Sequence, residues 1–179
     1  MKGRALHSDS IENKVVNYST KKYKFIYPIN RMKTLSTLIF LIFVHSLSAQ
    51  NIDFNIKKGF VIEGFDVVSY FNNTPEQGND KFVSNYKGGQ FKFVSQKHLD
   101  TFNKNPDMYM PQYGGYCAYA VAEKSEKVSI DPETYEIRDG KLYLFYNSWG
   151  INTLKSWLNE SPEVLKIKAD NNWKHINEN

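Results

Sequence analysis

Cysteine is what this chain most conspicuously lacks: there is one, Cys117, in 179 residues. A single thiol cannot close an internal disulfide, so Cys117 has four remaining roles: free reactive thiol, metal ligand, intermolecular link or small buried hydrophobe. A glycine-rich phosphate loop, a His-x-Glu metal motif and a nucleophile elbow are also missing, which leaves the chemistries that depend on them without an anchor. Long apolar runs are absent too. The longest, Leu35 to Val44, is broken by Ser36 and Thr37 and falls short of the ~20 residues that a membrane helix needs.

That short run has the flanks of an export signal. Arg31 and Lys33 precede it, and Ser46-Leu47-Ser48-Ala49-Gln50 supplies small residues suited to cleavage. The pattern predicts a start at Met32, a signal peptide over 32–49, an upstream extension over 1–31 with no sustained period, and one domain over 50–179. The expected destination is periplasmic or secreted, with no transmembrane anchor after processing. No cysteine follows the run to carry a lipid.

The excess of positive charge belongs to the leader. Residues 1–49 hold eight Lys and Arg against two Asp and Glu, and the remainder holds fifteen against seventeen. A mature domain this close to neutral offers no electrostatic footprint for nucleic acid.

Within the domain the pattern predicts an α+β fold: a small antiparallel sheet made of hairpins, a hairpin–helix core and closing helices. Val61-Ile62 and Val67 to Phe71 read as short strands around Gly64, and Asn72-Asn73-Thr74-Pro75 as a turn. Phe82 to Tyr86 and Phe91 to Val94 flank Lys87-Gly88-Gly89-Gln90 as a hairpin. Ser95 caps a helix with Leu99 and Phe102 on one face, which stops before Asn105-Pro106. Cys117 to Lys124 is ambiguous: Ala118, Ala120 and Ala122 alternate with bulkier residues as in a strand, while the alanine content favours a short helix. Asp139-Gly140 is the turn of a second hairpin between Tyr135–Arg138 and Lys141–Tyr146. Ser148 or Asn152 opens a helix to Asn159, and Ser161-Pro162 opens another through Trp173. No internal repeat is visible.

Tyr86 to Ser95, Phe102 and Asn105-Pro106-Asp107-Met108-Tyr109 resemble the YHS domain. Gly64 to Phe71, Gln112 to Val121, Asp139 to Leu144 and Ala169 to Trp173 are similar to its exported bacterial subgroup. The resemblance implies a strand hairpin, a helix and an Asn-Pro-x-x-Tyr exit. Metal-associated YHS domains carry three cysteines, at places that fall here on Ser69, Val94 and His98. The usual thiolate site is therefore absent, with only His98 a good ligand.

Three functional readings follow. Copper or zinc would choose Cys117 with His98, and Met108 and Met110, alternating on an extended segment, would add thioethers. A cysteine-dependent enzyme would use Cys117 at a helix start, Gln112 as oxyanion donor and Gly114-Gly115 as the place where substrate meets backbone. It has no evident base, since His98 lies on another element and His175 near the chain end. A binding role for a small ligand or a protein partner would use Asp66, Tyr113, Gly114, Gly115, Tyr116 and Tyr119 as a groove. Asp66 and Asp139 read as backbone-satisfying carboxylates, Asp66 with the option of supporting a site near Ser69.

Overall fold

A computed structural model describes residues 52–177; the expected extension over 1–31 and signal peptide over 32–49 lie outside the described residues. The strands are β1 (Ile56–Lys57), β2 (Phe60–Val61), β3 (Asn79–Tyr86), β4 (Gly89–Phe93), β5 (Asp131–Arg138), β6 (Lys141–Phe145), β7 (Asn147–Ser148) and β8 (Ile151–Asn152). The helices are α1 (Gln96–Lys104), α2 (Ala118–Lys124), α3 (Thr153–Asn159) and α4 (Pro162–Asn177). The class is α+β as expected, but the strands form four separate two-stranded antiparallel sheets rather than one.

The same local chemistry makes each hairpin. Lys58-Gly59, Lys87-Gly88, Asp139-Gly140 and Trp149-Gly150 each place both residues at positive φ, between 46° and 87°, the geometry of the two-residue primed turn that matches strand twist. The two larger hairpins also share a bulge at the end away from the turn, between Asn79 and Val83 and between Asp131 and Tyr135. In each, the bulge residue's side chain accepts from the amide two residues on: Asn79 Oδ1 from Lys81 N at 2.8 Å, and Asp131 Oδ1 from Glu133 N at 3.1 Å. This repetition of form has no counterpart in residue identity, which is why the sequence shows no repeat.

Strand β6 divides the interior. Leu142 and Leu144 face one cluster with Phe91, Phe93, Phe102, Tyr70 and Val61; Tyr143 and Phe145 face another with Trp157, Leu165, Ala169 and Val121. A strand buried on both faces needs cover on both, and α1 with β3–β4 supplies one side while α2, α3 and α4 supply the other. Phe102, the apolar anchor of α1, meets Phe93 at 4.9 Å and Phe91 at 5.1 Å between ring centres.

The helix starts follow their caps. Ser95 Oγ accepts from His98 N at 3.2 Å, and Asn152 Oδ1 accepts from Leu154 N and Lys155 N. Asn152, not Ser148, therefore opens α3; Ser148 is in β7. Two expected strands give way to turns. Val67 to Phe71 is no strand, because Asp66 folds the chain into a 3-10 turn at Ser69–Asn72: its Oδ1 accepts from Val68 N at 2.8 Å, and its carbonyl oxygen accepts from Ser69 N and Ser69 Oγ. Local side-chain bonding outcompetes a strand ladder here. Ile62 likewise leaves β2 for a 3-10 turn at Ile62–Gly64. Among the described residues no helix is long and apolar enough to cross a membrane.

Candidate functional site

The segment from Met110 to Cys117 runs along the free edge of β6, bridging it in parallel at Pro111–Leu142 and Cys117–Leu144. Between those bridges Tyr113, Gly114 and Gly115 take φ of 53°, 62° and 84°, three successive left-handed residues of which only the glycines do so without steric cost. The reason lies in the N-terminal segment. A Cβ on Gly114 would collide with the Asp53 carbonyl oxygen. Asn55 N donates to the Gly114 carbonyl at 2.9 Å, and Asn55 Nδ2 to that of Gly115 at 3.1 Å. The glycine pair admits a close backbone, but that backbone is the chain's own residues 53–55 rather than a substrate.

Where this segment meets α4, an open groove of about 740 Å³ forms. Ile52 and Asp53 form one side, Met110 to Gly114 another, and Asp170, Trp173, Lys174 and Asn177 of α4 a third. Trp173 stands 6.0 Å from the rings of both Tyr113 and Tyr116, with the Lys127 ammonium 5.7 Å from its ring centre. Each carboxylate is already engaged. Asp170 accepts from Tyr113 Oη and Lys166 Nζ, both at 2.9 Å, Asp107 from Lys87 at 2.7 Å, and Asp53 pairs with Lys127. Burial, then Asp170, pushes the Tyr113 phenol well above its ordinary value, so it stays a neutral donor. By contrast, Gln112, Lys174 and Asn177 make no side-chain hydrogen bond or ion pair among the described residues. The groups left for a ligand are thus one ammonium and two amides beside the apolar surface of Met110, Pro111 and Trp173.

Of the residues singled out in the sequence, Met110, Gln112, Tyr113 and Gly114 line this groove; Asp66, His98, Met108, Gly115, Tyr116, Cys117 and Tyr119 do not. Tyr119 instead donates to Glu160 at 2.9 Å. Asp53 and Lys174, which also line the groove, are not among the residues singled out. Sequence reading offered only the Lys166/Asp170 spacing, an i,i+4 pair that marks one exposed helix side.

Cys117, a candidate ligand and nucleophile by sequence, is buried instead: it has no solvent exposure. Its Sγ lies 3.3 Å from Thr153 Oγ1, which in turn donates to the Tyr146 carbonyl at 2.9 Å. Its N–H donates to the Val128 carbonyl and its own carbonyl accepts from Val121 N. The position directly before α2 is as expected, but β6 and α3 seal it, and Gln112 faces the groove that Cys117 does not. Nucleophile and oxyanion donor are not assembled.

The metal candidates are dispersed as well. Met108 and Met110 do not share a side, because Pro106–Tyr109 forms a 3-10 turn that exposes Met108 and buries Met110. Among the described residues no three or more His, Cys, Asp and Glu side chains are placed to hold one ion.

His98 belongs to a different constellation. Asp66, fully buried, receives Val68 N on Oδ1, and Val94 N at 2.9 Å and His98 Nδ1 at 2.6 Å on Oδ2. Ser69 Oγ donates to the Asp66 carbonyl at 2.6 Å and accepts from Glu76 N at 3.0 Å. Val94 and His98 therefore meet at the Asp66 carboxylate and Ser69 at the main-chain carbonyl of the same residue, which ties α1 and the end of β4 to the 66–72 loop. No family model, curated protein or solved structure matches this chain.

Proposed function

We propose that this is an exported YHS-type accessory protein whose domain binds a small organic anion with a flat apolar part in the groove beneath Trp173. The observation that carries the reading is the groove's imbalance of free groups: its carboxylates are neutralised from within, while Lys174, Gln112 and Asn177 remain as donors beside Met110, Pro111 and Trp173. Sites for small molecules have this form, apolar walls with a few polar groups that fix orientation. The volume is within the range of about 300–1,000 Å³ typical of such sites. The convergence of Ser69, Val94 and His98 on Asp66 supports the YHS resemblance, since those are the three places where its metal-bearing members carry cysteines; here the one residue Asp66 joins them by hydrogen bonds.

The test is a titration of the purified protein with aromatic carboxylates and with their uncharged amides, followed by tryptophan emission. The carboxylates should perturb emission in a saturable way and the amides should bind at least about tenfold more weakly, the loss expected for one hydrogen-bonded charge. Lys174→Met should erase that preference. Indifference of the emission to both ligand types sinks the reading.

A further inference from the structure

The hairpin β7–β8 ends in Trp149-Gly150, and among the four turns Trp149 is the one apolar residue at the first position, where the others carry Lys58, Lys87 and Asp139. The first position of a primed turn demands positive φ and favours Asn, Asp or Gly; a bulky side chain there costs roughly 1 kcal/mol or more. Trp149 accepts φ of 55° and recovers nothing from its own fold, being 93% exposed, while Ile151 beside it is 58% exposed. An indole held out in water at a hairpin apex gains free energy when it is buried against another apolar surface.

We propose that Trp149 docks into the Trp173 groove of a second copy of this chain. This rests on the groove being a binding site and names one occupant for it. Three observations select a second copy. The groove's apolar wall of Met110, Pro111 and Trp173 suits an indole, and its volume of about 740 Å³ leaves room for the hairpin tip. The charges complement one another. The bulge Asp131-Pro132-Glu133 flanks the root of the knob, with Asn147 Nδ2 donating to Asp131 Oδ2 at 3.2 Å and Glu133 exposed, while the groove's free charge is the Lys174 ammonium. Finally, neither Trp149 nor its neighbours line the groove, so knob and socket are separate surfaces and the contact is head-to-tail, open to further copies. A single knob buries much less than the ~1,200 Å² of a stable interface. The association is therefore weak and concentration-dependent.

Sedimentation velocity on the purified protein over a wide concentration range tests this with two surface variants. Trp149→Asn installs a residue the turn prefers, keeping the hairpin and removing the knob; Lys174→Glu, at an exposed position, reverses the groove's free charge. Wild type should sediment faster as concentration rises, and each variant alone should lose about tenfold or more in association constant. An equimolar mixture of the two should associate again, but only to dimers, since one supplies the groove and the other the knob. A wild type that stays monomeric, a Trp149→Asn protein that associates like wild type, or a mixture that stays monomeric overturns the proposal. A monomer whose emission shifts to the blue on phosphatidylcholine vesicles does so too, and assigns Trp149 to lipid. Trp149→Asn should still answer the aromatic carboxylates, so failure of self-association alone leaves the groove's small-ligand role standing.

Discussion

His98 Nδ1 lies 2.6 Å from Asp66 Oδ2, a carboxylate with no solvent exposure. Burying a charge is costly unless it is paired and hydrogen-bonded, and Asp66 meets the condition with two backbone amides and the imidazole. Asp66→Ala strands all three partners and should cost about 3–5 kcal/mol. His98→Gln, which leaves the two amides bonded, should cost about 1–2 kcal/mol. Denaturant unfolding of both variants and of the double mutant checks this; a double mutant whose loss is the sum of the singles shows that the two side chains do not act together.

Gly114 separates strain from collision. Gly114→Ala meets both a φ of 62° and the Asp53 carbonyl, whereas Gly59→Ala, at φ of 83° with nothing within 4 Å, meets strain alone. Gly59→Ala should cost about 1 kcal/mol, and Gly114→Ala at least about 2 kcal/mol more, with detachment of residues 52–55. Faster amide exchange at Asn55, whose N–H is held by the Gly114 carbonyl, is the specific readout. Equal losses for the two variants contradict the close approach.

Cys117 should be inert in the folded protein. A disulfide reagent should label it only after denaturant is added, at a rate set by unfolding. Cys117→Ala should be tolerated to within about 1–2 kcal/mol, because a small apolar residue replaces a small apolar one. Prompt labelling of native protein contradicts its burial.

Alkaline pH should unfold the domain through its tyrosines. Burial raises the phenols of Tyr70, Tyr113 and Tyr143, that of Tyr143 from 10.0 to about 12. Below the unfolded value both states keep the proton, and these groups give no pH dependence. Above it the unfolded chain loses protons first, so stability falls as pH rises from about 10 through about 12. Unfolding midpoints should be flat across the lower range and drop there, in step with tyrosinate absorbance. Tyr143→Phe should not destabilise, since the Tyr143 hydroxyl is buried without a hydrogen-bond partner among the described residues.

Much of the fold was legible locally because its causes are local. Asp139-Gly140 and Lys87-Gly88 specify primed turns, Ser95 caps its own helix, and Pro162 sits at the first helical position of α4. Errors arose where a side chain made a competing bond, as at Asp66, which turned an expected strand into a 3-10 turn, and at Lys58-Gly59 and Trp149-Gly150, where strands of two residues carry too little pattern to read.

By itself the sequence determined the mixed class, the two large hairpins and four helices, because turn, cap and period chemistry act over a few residues. Only tertiary structure decided what the notable residues do. Cys117 faces inward because β6 is covered on both sides, and Gly114-Gly115 serve residues 53–55, which are 60 positions away at the Asn55–Gly115 bond. The groove depends on Asp53, Gln112 and Lys174, brought together from three distant stretches. No window along the chain contains such a meeting, since it is fixed by how two cores pack around one strand.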